Sequence, residues 1–155
     1  MTAPLEDRMA ETIDSLSIAL FGELLMADQL ARSRLAKALP KGMELSHFAV
    51  LNHLAGSGAE KTPAQLARAF HVTRGAMTNT LNRLEWAGYV HVRPDWEDAR
   101  RKFVSITPAG RRARDAAIDS IAPILGEVVQ AVGPERVRAV LPVLRELRIR
   151  LEREE

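Results

Sequence analysis

The stretch TPAQLARAFHVTRGAMTNTLNRLEWAGYV, residues 62–90, decides how the chain reads. Thr62-Pro63 is a helix start. The threonine hydroxyl caps, and the proline occupies the first turn, where its missing N–H costs little. A short helix follows from Pro63 to Phe70, with Leu66, Ala67 and Phe70 on its inner side. His71-Val72-Thr73 breaks the period, and Thr73 caps a second helix that carries Met77, Leu81 and Leu84 on one face and ends near Gly88. A short helix, a three-residue turn and a second helix are the parts of a helix-turn-helix. Small Ala67 allows the two helices to approach closely, and Val72 is expected to fill the angle between them.

The outward side of the second helix has a distinctive composition. Opposite Met77, Leu81 and Leu84 lie Gly75, Asn79, Asn82, Arg83 and Trp86, with Arg74 and Thr78 on the flanks. No acid stands on that face. A helix that reads base edges must enter a groove without repelling phosphates, and Arg and Asn pair bidentately with guanine and adenine. Gly75 would let the backbone come close to a duplex. An isolated polar face is usually only a solvated one; here it sits inside the right supersecondary layout. The reading set is therefore Thr73, Arg74, Gly75, Thr78, Asn79, Asn82 and Arg83.

Beyond Gly88 the period changes to two. Val90 and Val92 alternate with Tyr89, His91 and Arg93, and Val104 and Ile106 alternate with Phe103 and Ser105, giving two short strands. Pro94 to Lys102 is the charged loop between them. Its consecutive cations Arg100, Arg101 and Lys102, with Arg93 at the strand end, suit a minor groove, whose negative potential attracts arginine. Asp98 is expected to hold Arg100 in one pose through a carboxylate–guanidinium pair.

Further out, a long helix runs to about Ala38 on the stripe Met9, Ile13, Leu16, Leu20 and Leu24, and Pro40 and Gly42 end it. Ser46 is the expected cap of a helix carrying Phe48, Leu51 and Leu54. On the other side, Thr107-Pro108 starts a helix with Ile118, Ile121, Leu125, Val128 and Val132. Gly133-Pro134 ends it, and the last helix carries Val137, Val140, Leu144, Leu147 and Leu151. Arg111, Arg112 and Arg114 open the first of these, either as phosphate contacts or as a solvated face. The terminal helices carry more apolar surface than a small lobe covers, so a homodimer is expected.

Composition sets the outer bounds. The chain has 155 residues, 46% hydrophobic and 27% charged, with a formal charge of +2. That permits nucleic-acid binding without arguing for it. Cysteine is absent, which excludes disulfides and thiolate chemistry. No secretory leader and no apolar run of membrane-spanning length is read, so a cytoplasmic protein is expected. The histidines show no metal-ligand spacing, and no phosphate loop or nucleophile elbow occurs, so neither a cofactor nor an enzyme is expected.

At Leu66-Ala67, Val72-Thr73-Arg74, Leu84-Glu85, Gly88-Tyr89-Val90, Asp95, Asp98, Arg100 and Val104-Ser105-Ile106-Thr107-Pro108-Ala109-Gly110 the chain resembles the MarR-type winged helix-turn-helix transcriptional regulators. Its most specific part is the Asp-x-Arg of the wing followed by the Val-x-Ile-Thr-x-x-Gly run. The resemblance implies a mainly α fold: a winged lobe over roughly residues 45–112 with a two-stranded wing, flanked by dimerisation helices over about 1–40 and 115–155, all in one domain. It implies a cytoplasmic homodimeric repressor on a near-palindromic operator in double-stranded DNA, with Arg100 at the wing tip. It also implies release by a small, aromatic effector. Arg32, Met43, His47 and Phe48 are the candidate pocket residues. Two departures stand out: Trp96 replaces the usual wing proline, and the missing cysteine removes thiol-oxidation sensing. The alternative is a winged-helix protein-interaction module that binds no DNA.

Overall fold

The computed structural model describes residues 5–153, with side chains from Thr12 onward; the Met9 side chain lies outside the described residues. Among the described residues, six helices and one hairpin follow in the order α1 (Leu5–Ala38), α2 (Leu45–Ser57), α3 (Pro63–Ala69), α4 (Arg74–Trp86), β1 (Val90–Pro94), β2 (Lys102–Ile106), α5 (Pro108–Val132) and α6 (Pro134–Glu152). The mainly α class with a two-stranded wing is the observed one. No single described helix is long and apolar enough to cross a membrane.

The chain divides into two compact units after Leu39, so α1 forms the first by itself. From Pro40 onward, the core gathers Val50, Leu51 and Leu54 of α2, Leu66 and Ala67 of α3, Met77, Leu81 and Leu84 of α4, and Val90 and Val104 of the hairpin. Each is an inward position of its element, so the apolar period of the sequence is the map of this core.

Local chemistry sets the element ends. The Thr62 hydroxyl accepts the Gln65 N–H, and the Gln65 side chain accepts the Thr62 N–H, a reciprocal capping box. Thr73 accepts from Ala76 in the same way. The cap of α2 is not Ser46, which lies inside the first turn; it is Glu44. Glu44 forms a capping box with His47, whose Nδ1 accepts the Glu44 N–H at 3.1 Å. Glu44 has the extended backbone of a cap, so the helix begins one residue before serine can cap it.

Val72 also departs from expectation. It is 43% exposed and does not fill the interhelical angle. Backbone closes the turn instead: the Val72 N–H donates to the Ala67 carbonyl at 3.0 Å, and His71 takes a left-handed φ of 51°. The hairpin is antiparallel, with Val90 opposite Ile106 and Val92 opposite Val104. Lys102 belongs to β2 rather than to the loop.

Thr107 seats α5 on the end of α4. Its hydroxyl donates to the Gly88 carbonyl at 2.7 Å and accepts from the Gly110 N–H at 3.0 Å, and its own N–H donates to the Tyr89 carbonyl. A Cβ on Gly110 would fall on that same Tyr89 oxygen, so the close approach requires glycine. At Gly133, α5 turns by 101° into α6.

Candidate nucleic-acid interface

The helix-turn-helix leaves one side of α4 bare. Thr73, Arg74, Gly75, Thr78, Asn79, Asn82 and Arg83 are all exposed, while Met77, Leu81 and Leu84 are buried on the opposite side. Nothing lies within 4 Å of where a Gly75 side chain would begin. Trp86 continues the bare face at 94% exposure. Arg83 is already partnered: its Nη1 donates to Glu44 at 3.1 Å, tying the last turn of α4 to the cap of α2.

The wing is ordered by its own acids. Asp98 accepts both the backbone N–H of Arg100 at 3.0 Å and its Nε at 3.2 Å. Those bonds, the backbone one foremost, hold the Asp98 carboxyl below its ordinary value. The expected pairing is thus present, and it leaves the Arg100 side chain 91% exposed. Arg101 and Lys102 are exposed as well.

Arg93 is placed differently. It makes a two-pronged pair with Glu60, Nε at 2.9 Å and Nη2 at 2.6 Å, and its guanidinium lies 4.7 Å from the centre of the Phe103 ring. This bond to Arg93 is the main reason the Glu60 carboxyl sits below its usual range. Glu60 is within reach because its neighbour Lys61 adds a rung to β2, exchanging backbone hydrogen bonds with Val104 at 3.0 and 2.7 Å. Arg93 therefore spans β2, over its cross-strand partner Phe103, and braces the wing from below. Nothing local announces this pair, whose members are 33 residues apart.

Of the candidate pocket residues, Met43 and His47 line an open cleft of about 210 Å³ with Gly42, Arg83, Trp86 and Tyr89. Burial is the main cause that lowers the His47 pKa, opposed by Glu44 and aided by Arg83. Phe48 is not among the lining residues. Arg32 belongs to α1, where it pairs with Asp28 at 2.9 Å. At the start of α5, Arg111 and Arg112 are exposed, while Arg114 bonds to Asn52 and Asp115. No cluster of three or more metal-ligating side chains occurs among the described residues.

A helix-turn-helix packed on a two-stranded hairpin and closed by the helix that follows defines a winged-helix protein. Residues 41–101 match the profile of the MarR family. Solved structures agree on the fold. A cysteine-to-serine mutant of MarR from E. coli, complexed with operator DNA, is 23% identical with a TM-score of 0.73, over 94% of this chain and 99% of that one. BpsR of Bordetella bronchiseptica, whose DNA binding is regulated by 6-hydroxynicotinic acid, is 22% identical with a TM-score of 0.73, over 83% and 98%. The transcriptional regulator PA4135 is 28% identical with a TM-score of 0.74, over 83% and 95%. Among curated proteins no sequence matches.

Proposed function

We propose that this chain is a sequence-specific, duplex-DNA-binding transcriptional regulator, a cytoplasmic homodimeric repressor released by a small aromatic ligand. One observation carries the reading: the outward face of α4 is exposed along its length, bears Arg74, Asn79 and Asn82 with its nearest acids, Glu85 and the Arg83-paired Glu44, confined to the last turn, and is accompanied by an ordered wing with a solvent-facing Arg100. Such a face suits a major groove, and such a tip suits the minor groove beside it. In this reading Arg74, Thr78, Asn79 and Asn82 meet base edges and phosphates, Arg100, Arg101 and Lys102 meet the adjacent backbone and groove, and Arg93 braces the wing. The operator complex of the E. coli protein supports the DNA partner, and the regulated Bordetella protein supports an effector.

A second copy would cover the apolar residues that α1 and α6 leave exposed, and would set two recognition helices one helical turn apart, about 34 Å. The cleft at Met43 and His47 is the proposed effector site. An anionic aromatic there would compete with Glu44 for Arg83, and so act on the recognition helix directly. Effector binding would favour dimers whose two α4 helices miss consecutive grooves.

Selection from random duplex DNA, with the mass of the protein in solution measured in parallel, tests this. Enrichment of a near-palindrome with half-sites about 10 base pairs apart, together with a dimer mass, is the expected result. A folded protein that enriches nothing at low salt overturns the reading.

A further inference from the structure

We infer that Trp96 is a non-ionic contact to the minor groove of duplex DNA; the inference rests on the DNA-binding reading and adds a contact to it. Trp96 is 83% exposed. One exposed tryptophan is ordinary on a protein surface, so the argument lies in its setting.

The turn that carries Trp96 is stiff. The Asp95 N–H donates to the Arg101 carbonyl at 3.0 Å, the Arg101 N–H to the Asp98 carbonyl at 3.0 Å, and the Glu97 N–H to the Asp95 carboxylate at 2.9 Å. Below the turn, Arg93 is clamped to Glu60 across Phe103. The indole is therefore presented by a preorganised hairpin, and less order has to be created when it meets a partner.

Charge points to what the indole supplies. Residues 95–102 hold Asp95, Glu97 and Asp98 against Arg100, Arg101 and Lys102, a formal balance of zero. The Arg101 guanidinium also lies 5.6 Å from the centre of the Phe103 ring. The three acids offset part of what the three cations contribute to ionic binding. What the tip does offer is a large flat apolar side chain with one N–H donor, close in sequence to the exposed Arg100. The minor groove fits that chemistry. Its walls are sugars, its floor at A·T pairs carries only acceptors, and apolar side chains wedge there. A G·C pair places an amino group on the floor and obstructs it.

The test uses the full chain and a duplex carrying the palindrome enriched by selection, with salt varied over about 50–200 mM. Trp96→Ala is expected to weaken binding roughly 10-fold at every salt concentration without changing the salt slope. Arg100→Ala should lower that slope by about 1. Replacing A·T pairs in the palindrome's flanks by G·C should weaken the unmodified protein, and inosine·cytosine pairs should restore it; Trp96→Ala should make no such distinction. Trp86→Phe leaves Trp96 as the sole indole, and its emission should change when the duplex binds. If Trp96→Ala binds as tightly as the unmodified chain and the Trp96 emission is unmoved, the inference fails while the regulator reading stands. If the unmodified chain binds no duplex, both fail.

Discussion

The winged lobe and the last helix treat their apolar residues in opposite ways. In the lobe, Leu51, Leu54, Leu66, Leu84, Val50 and Val104 are fully buried. In α6 no residue is buried, and Val140, Leu141, Val143, Ile149 and Leu151 stand between 41 and 56% exposed. Taken by itself, α1 resembles α6: Leu16, Ile18, Leu25 and Leu30 are between 57 and 78% exposed. All these segments carry apolar residues at helical spacing. The difference is whether the chain itself supplies the opposing surface. For the lobe it does, through three helices and a hairpin that close on one another. For α6 it does not, and the proposed second copy would supply that surface.

The comparison breaks most directly at the lobe's centre. Leu54→Ala should cost about 3 kcal/mol of unfolding free energy in urea titrations, since the fully buried site has little room to collapse. A cost below about 1 kcal/mol would mean the lobe is not the closed core described. Next comes Gly110→Ala, which forces the start of α5 off the Tyr89 carbonyl and should cost about 2 kcal/mol. An unchanged melting curve would show that this seat has slack.

The third change moves to α6. Val143 is 56% exposed, so Val143→Glu should leave the isolated chain's stability within about 0.5 kcal/mol. In sedimentation, the same change should raise the dissociation constant of the proposed dimer at least about 10-fold. An unaltered dimer would remove α6 from the proposed interface.

The smallest effect lies at the lobe's edge. Burial holds the His47 pKa below its ordinary 6.5, so the folded chain favours the neutral ring. As pH falls through 6.5, the unfolded chain takes up this proton first. The His47 contribution is thus complete above that pH, declines as pH drops toward the lower folded value, and then levels off. His47→Gln keeps a side chain able to accept the Glu44 N–H and should flatten the decline. A decline of equal steepness in both proteins would assign it to other groups.

Much of the fold was legible locally. Thr62, Thr73 and Thr107 announce three helix starts because a hydroxyl cap acts within three residues of itself. The change from a helical to a two-residue period at Val90 marks the hairpin. The bare face of α4 follows from the positions of Met77, Leu81 and Leu84 alone. Elsewhere local reading failed for identifiable reasons. Ser46 looked like the better cap because serine usually is; the spacing of Glu44 and His47 was the available signal, with histidine in the place where a capping box usually has glutamate or glutamine. Val72 looked like core because valine usually is, but the turn was closed by backbone.

What the sequence determined by itself is the set of elements, the apolar side of each, and the chemistry of the exposed face of α4 and of the wing tip. These depend on periodicity and on bonds between near neighbours. What only the tertiary structure decided is the pairing of distant groups. Arg93 sits in the wing by sequence but serves Glu60 across β2. Arg83 sits on the exposed face of α4 but is held by Glu44. Gly110 is glycine because of the Tyr89 carbonyl in the connection between α4 and β1. Such roles depend on which chain segments folding brings within bonding distance, and no periodicity along the chain encodes that distance.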